Sequence, residues 1–168
     1  MEILPGFAGF AEAHGRGENQ ALWTTLVADL DTPVSLMLKL AEARRDSFLL
    51  ESVTGGEIRG RYSIIGMKPD LIWRCRGETA EINRAARWDD DGYEIDPRPP
   101  LESLRALLAE SRIALPESLP PMASGLFGYF GYDMARLAER LPPPNPDPLG
   151  LPDAILIRPT VVAVVDSV

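Results

Sequence analysis

Apolar and polar positions divide the first part of the chain at Asp31. From Ala21 to Leu30, β-branched and apolar residues mix in strand fashion, which predicts a strand. Beyond it Thr32 is a good N-cap, and Pro33 takes the first helical position, where a missing N–H costs nothing. Val34, Met37, Leu38, Leu40 and Ala41 then repeat at three-to-four spacing, while Lys39, Glu42, Arg44 and Arg45 can face water. This pattern predicts a helix from Pro33 to Arg45. Residues 1–20 are Gly-rich and read as an N-terminal segment in front of a body that runs from 21 to 168, the whole forming one domain.

The pattern then changes to the two-residue period of β-structure. Ser47 to Val53 is predicted as a strand, "TGGE" as a turn, Gly60 to Gly66 and Asp70 to Arg76 as further strands, and Thr79 to Arg84 as the partner of the last across "RGET". Short turns between neighbours imply antiparallel pairing. "RWDDDGYEIDPRPP" reads as a polar loop with a solvated turn at Asp89 to Asp91. A second helix is expected from Leu101 to Ser111, with Leu101, Leu104, Leu107 and Leu108 on its apolar stripe. In "SGLFGYFGYDMARLAERL" the glycines at 125, 128 and 131 alternate with aromatic residues, as in a strand that another backbone or ring approaches closely; a helix should start at Asp133. A proline-rich crossing, "LPPPNPDPLGLPD", leads to "AILIRPTVVAVVDSV", read as two strands broken at Arg158-Pro159. The fold class is α+β, with antiparallel β-sheet layers and flanking helices.

Composition narrows the partners. A net charge of −8 with scattered basic residues argues against nucleic acid, whose binding draws on clustered Lys and Arg. No apolar run approaches the ~20 residues that cross a bilayer, and the first residues lack the basic flank and apolar stretch of a secretion signal, so the expectation is a cytoplasmic protein with no membrane partner. Cys75 alone excludes an intrachain disulfide, and with His14 alone no His-based or Cys-based metal cluster can form. Cys75 reads as an unreactive strand thiol and His14 as a solvated loop residue.

Catalytic chemistry finds little to work with. A nucleophilic triad needs a base beside Ser or Cys, and the one histidine lies in the N-terminal segment. Glu51, Glu57, Glu78 and Glu81 offer carboxylates without a fixed pair. The glycine spacing G-x-x-G-x-x-G is not a dinucleotide fingerprint, and no phosphate loop of the form G-x-x-x-x-G-K-[ST] occurs. A binding or regulatory module fits best. The stretch "FLLESVTGGEIRGRYSIIG" adds a polar pair, Glu51-Ser52, where a strand meets its turn, and Arg61-Tyr62 where the next begins.

The chain resembles the N-terminal region of anthranilate synthase component I. The resemblance is carried by "NQALWTTLVADLDTPVSLMLKL", "SFLLESVTGGEIRGRYSIIGMKPDL", "GLFGYFGYDMARLAERLP" and "LPDAILIRPTVVAVVDSV", in that order, and covers nearly the whole chain. It implies that these residues contribute to the family's two-sheet sandwich, and that the chorismate-binding, Mg²⁺-dependent catalytic half lies beyond this stretch. On that basis residues 1–168 hold no catalytic residues and bind no cofactor themselves. They form the feedback-regulatory region, in which the LLES segment binds L-tryptophan.

A free tryptophan needs an acceptor for its ammonium, donors for its carboxylate and an apolar slot for its ring. The resemblance assigns these to Glu51, Ser52 and Leu50, and Ser52 would otherwise read as a turn residue. Arg61 is either a bidentate clamp for the carboxylate or a solvated strand-end charge. Tyr62 and Ile64 alternate with Arg61 and Ser63, so only one of these pairs shares the ligand's face. The implied partner is the glutamine amidotransferase subunit that supplies ammonia, and self-association is expected where apolar surface is left uncovered. The competing resemblance is to aminodeoxychorismate synthase component I, which shares the architecture, and the competing class is a stand-alone ligand-binding domain.

Overall fold

The computed structural model describes residues 2–41, 44–51, 61–143 and 146–166. Its elements in chain order are α1 (Phe7–Gly15), α2 (Pro33–Leu40), β1 (Phe48–Leu50), β2 (Tyr62–Arg76), β3 (Thr79–Asn83), β4 (Tyr93–Ile95), α3 (Pro100–Glu110), β5 (Phe127–Phe130) and β6 (Ala154–Asp166). The strands form one sheet in the order β4-β3-β2-β6-β5, with β1 also paired to β2. All four ladders with a defined register are antiparallel, as the short turns predict. The chain divides into two compact units, one of Met1–Gly66, Arg112–Ser124 and Val162–Val168, the other of Met67–Ser111 and Gly125–Val161.

In the first unit, α2 begins where the sequence places it. Thr32 Oγ1 accepts from the Ser35 amide at 3.1 Å, and Ser35 Oγ accepts from the Thr32 amide at 2.9 Å, which satisfies two of the amides that a helix start leaves open. The helix ends at Leu40, with the buried Ala41 as its cap, rather than at Arg45; the Ser47 hydroxyl donates to the Arg44 carbonyl and Asp46 takes φ 56°, so the chain is already turning into β1. The strand expected over Ala21 to Leu30 does not form. Its one ladder contact is an isolated bridge between Leu4 and Trp23, and Leu26, Val27 and Leu30 are exposed. Without a neighbour to receive its amides, strand propensity alone does not hold an extended segment in a sheet. The N-terminal segment in turn contains α1, so His14 lies in the last helical turn, stacked on Phe10 at 5.6 Å between centroids, and not in a loop.

In the second unit, two breaks read from the sequence become kinks inside continuous strands. β2 runs unbroken through Lys68-Pro69, with Lys68 at φ 53°, and β6 runs through Arg158-Pro159. Thr160 Oγ1 donates to the Lys68 carbonyl at 2.6 Å, and Arg158 grips Asp70 through two bonds of 2.9 Å. These contacts bracket Pro69 and Pro159 between them. Prolines cannot donate to a ladder, and here side chains take over the bonding on both sides of them. The Asp153 amide donates to the Cys75 carbonyl further along, so the partners run in opposite directions and β2 and β6 are antiparallel. The supposed loop after Arg84 also holds a strand: Tyr93–Ile95 pairs with β3, and the Arg74 guanidinium covers the Tyr93 ring at 3.5 Å.

The core of this unit is one face of β2 and β3, where Trp73 opposes Ile82 and Cys75 opposes Ala80, joined by Leu71, Leu107, Ala154 and Leu156. The face that α3 turns to this core is rotated from the predicted stripe. Ser103 and Leu107 are buried whereas Leu108 is exposed. Ser103 is inside because it is needed there: the buried Trp73 Nε1–H donates to its Oγ at 3.0 Å, and its hydroxyl donates to Asp96 at 2.7 Å. Arg98 closes the chain with two bonds to the same carboxylate. The Arg98 guanidinium above all, helped by the Arg98 amide and the Ser103 hydroxyl and opposed by burial, holds Asp96 far below the ordinary aspartate value of 3.8.

β5 lies against β6 through its glycines, as the alternation with aromatics predicts. A Cβ on Gly128 would stand 1.9 Å from the Ile155 carbonyl oxygen, and one on Gly131 would stand 2.9 Å from that of Asp153. The helix expected from Asp133 is a 3-10 segment, Tyr132–Leu137, whose Met134 and Leu137 pack on the core.

Two expectations follow. Gly128→Ala should destabilise the protein by about 2–4 kcal/mol in urea titration, because backbone has to move to make room. Asp96 has a lowered native pKa, so its contribution to stability is present above the unfolded value of 3.8 and is lost as pH falls through that value toward the depressed native one. Asp96→Asn should therefore be less stable than the parent at neutral pH, with the gap closing on acidification in thermal melts at a series of pH values.

Candidate functional site

The polar pair singled out in the sequence sits where β1 ends. Ladder pairs match Phe48 with Gly66, Leu49 with Ile65 and Leu50 with Ile64. Opposed residues share a face, so Leu50 lies on the side of Ile64 and Tyr62, and Leu49 on the side of Ile65 and Ser63. That answers which alternating pair accompanies Leu50. Ile65 and Ser63 are buried, whereas Leu50 is half exposed and Glu51 exposed. The hairpin thus turns an apolar side chain and a carboxylate outward at one end. Ser52 lies outside the described residues, as does the turn up to Gly60.

Packing beneath that end is close. The Phe48 ring lies over Gly66, where an added Cβ would meet ring carbons at 2.3 Å. α2 packs beside β1 in the same unit.

Arg61, just before β2, brings the cation. Its Nε and Nη2 donate to the two carboxylate oxygens of Asp166 at 2.6 and 2.5 Å, a fork-to-fork pair linking the start of β2 to the end of β6. The guanidinium carbon also stands 5.1 Å from the Tyr62 ring centre. Arg61 is 40% and Asp166 37% exposed, so the pair is open to solvent along one side. The hydrogen bond to Asp166 pushes the Arg61 pKa up, against a smaller opposing effect of burial, and the side chain stays cationic at any working pH. Leu50, Glu51 and Arg61 are therefore all on this hairpin, with Arg61 already holding an internal carboxylate. Asp166 is the residue that sequence reading missed; 105 positions separate it from Arg61, and only the pairing of β2 with β6 brings them together.

Other chemistry-bearing residues are accounted for structurally. The Cys75 Sγ donates to the Gly77 carbonyl at 3.3 Å, and burial, with the nearby Asp153 charge second, pushes its pKa up to about 11. The buried Asn83 organises the aspartate turn, donating to the Asp89 carbonyl at 2.6 Å and accepting from the Ala85 amide at 2.8 Å. Among the described residues no three His, Cys, Asp or Glu side chains converge as metal ligands, so nothing here is fitted to hold Mg²⁺. Among them, too, no helix is long and apolar enough to cross a membrane.

Fold and site together define a mixed α/β domain that presents an apolar side chain, a carboxylate and a half-exposed cation at one hairpin end. The crystal structure of anthranilate synthase component I from Streptococcus pneumoniae has the same fold over 89% of this chain and 30% of its own, with a TM-score of 0.52 and 21% identity. No protein-family model matches the chain. Among curated proteins, anthranilate synthase component 1 of Cereibacter sphaeroides is 64% identical over 165 residues, which is 98% of this chain and 33% of that protein. Those of Pseudomonas aeruginosa and Thermus thermophilus are 42% and 41% identical over 84% of this chain and 28% and 29% of theirs. The chain belongs to the anthranilate synthase component 1 family, and it spans about a third of the length of these relatives.

Gly66→Ala should cost about 1–2 kcal/mol by displacing the Phe48 ring. In a double-mutant cycle, Phe48→Ala should remove most of that cost, since the clash is with this ring alone; denaturant titration of the four proteins reads the coupling.

Proposed function

We propose that this chain is the N-terminal, feedback-regulatory part of an anthranilate synthase component I, the subunit that converts chorismate and ammonia to anthranilate and pyruvate. The carrying observation is the 64% identity, over nearly the whole chain, to a protein of that name. The reaction is a carbon–oxygen lyase step requiring Mg²⁺, and its machinery is assigned to the part of the relatives' length that this chain does not span. The glutamine amidotransferase subunit, component II, is the partner that delivers the ammonia.

The proposed effector is L-tryptophan, bound at the end of the β1–β2 hairpin. Three features support it. Glu51 exposes a carboxylate suited to an ammonium, Leu50 offers apolar surface to an indole, and Arg61 carries a cation suited to a carboxylate. Ser52, adjacent to Glu51, supplies a hydroxyl to the same ligand. Inhibition requires that tryptophan bind the inactive arrangement better than the active one, with a coupling of about 1–3 kcal/mol. In this reading, the occupied hairpin holds the regulatory part so that the chorismate site does not close.

The test is the full-length enzyme assayed with chorismate and ammonia. Anthranilate as product supports the assignment, and aminodeoxychorismate overturns it. Glu51→Ala and Ser52→Ala should each raise the tryptophan concentration for half-inhibition by about tenfold or more, the loss of one hydrogen bond to a charged group, while leaving uninhibited turnover intact. Unchanged inhibition in both variants would remove the hairpin from the effector site.

A further inference from the structure

We propose that Asp166 is an internal competitor for the effector: its carboxylate occupies Arg61 in the empty site and sets how much tryptophan is needed to fill it. This rests on the tryptophan-site reading above and adds a residue and a mechanism to it. The Arg61 guanidinium is bound through its Nε–Nη2 edge to both oxygens of Asp166. An amino acid's carboxylate has the same geometry and charge as the Asp166 side chain, so both fit the same planar fork. Tyr62 stands 5.1 Å from the guanidinium carbon and limits approach on that side. An incoming carboxylate must displace Asp166 or share one cation with it, and either course lowers affinity.

The pair is suited to exchange. Both side chains are more than a third exposed, so the departing Asp166 carboxylate is rehydrated instead of being stranded in an apolar interior. The exchange also gives the site an output. Asp166 is the last residue of β6, and its release from Arg61 unties the end of that strand from the start of β2. Occupancy at the hairpin is thereby communicated to a segment distant in sequence, through one ion pair with two arrangements.

The experiment uses the full-length enzyme carrying this chain, with inhibition by L-tryptophan and by tryptamine, which lacks the carboxylate, as paired readouts. Asp166→Asn should lower the half-inhibitory tryptophan concentration about two- to fivefold, the range for losing competition from a half-exposed ion pair, and should leave that for tryptamine unchanged. In an Arg61→Gln background, where there is no cation to compete for, Asp166→Asn should have no effect on tryptophan. If Asp166→Asn folds poorly, Asp166→Ser makes the same test. In the unmodified enzyme, the Arg61 side-chain Nε–H resonance should shift with tryptophan and not with tryptamine. A parent enzyme inhibited by tryptophan, with Asp166→Asn either neutral or needing more tryptophan, would overturn the competitor role and leave the site reading standing. A parent that neither binds nor responds to tryptophan would overturn both.

Discussion

The indole N–H of Trp73 sets the terms for the second compact unit. A fully buried Trp removes on the order of 200 Å² from water, worth about 5 kcal/mol, but it takes a polar hydrogen into the core with it. That hydrogen has to be accepted, and Ser103 of α3 accepts it. The serine's own hydrogen then needs a taker, which is Asp96, and the Asp96 charge needs Arg98. One apolar burial thus determines which face α3 turns to the sheet, and why a serine sits where a leucine stripe would otherwise continue. The described residues contain no buried side-chain nitrogen or oxygen without a partner, so the whole relay is satisfied.

Much of this architecture can be read from the sequence, and the misses share a cause. Local chemistry was informative where it acts locally: the Thr32-Pro33 helix start, the "RGET" hairpin and the close approach at Gly128 all depend on neighbours or on the absence of a side chain. Reading failed where a distant residue decides. Pro69 and Pro159 look like strand ends until each is seen to lie between Thr160–Lys68 and Arg158–Asp70 contacts. Ala21 to Leu30 has strand residues but no neighbour, and Tyr93 gains its place in a strand from the sheet edge at β3 and the cover of Arg74.

The hairpin follows the same division. Leu50 and Glu51 stand out in sequence as a polar break after an apolar run, and the register places them at an exposed end. Whether Arg61 is a clamp or a surface charge could not be read, because its partner lies on another strand. The answer combines the two: Arg61 is half exposed and already clamps a carboxylate, that of Asp166.

The buried thiol has a practical side. With a pKa near 11, Cys75 is ionised to only about one part in ten thousand at neutral pH, and it has no exposed surface. Since it is the chain's one cysteine, the protein comes as a silent background for thiol chemistry. A cysteine introduced at a chosen surface position would carry a spin label or fluorophore alone, so that distances between the hairpin end and the rest of a longer subunit become measurable without first removing a native residue.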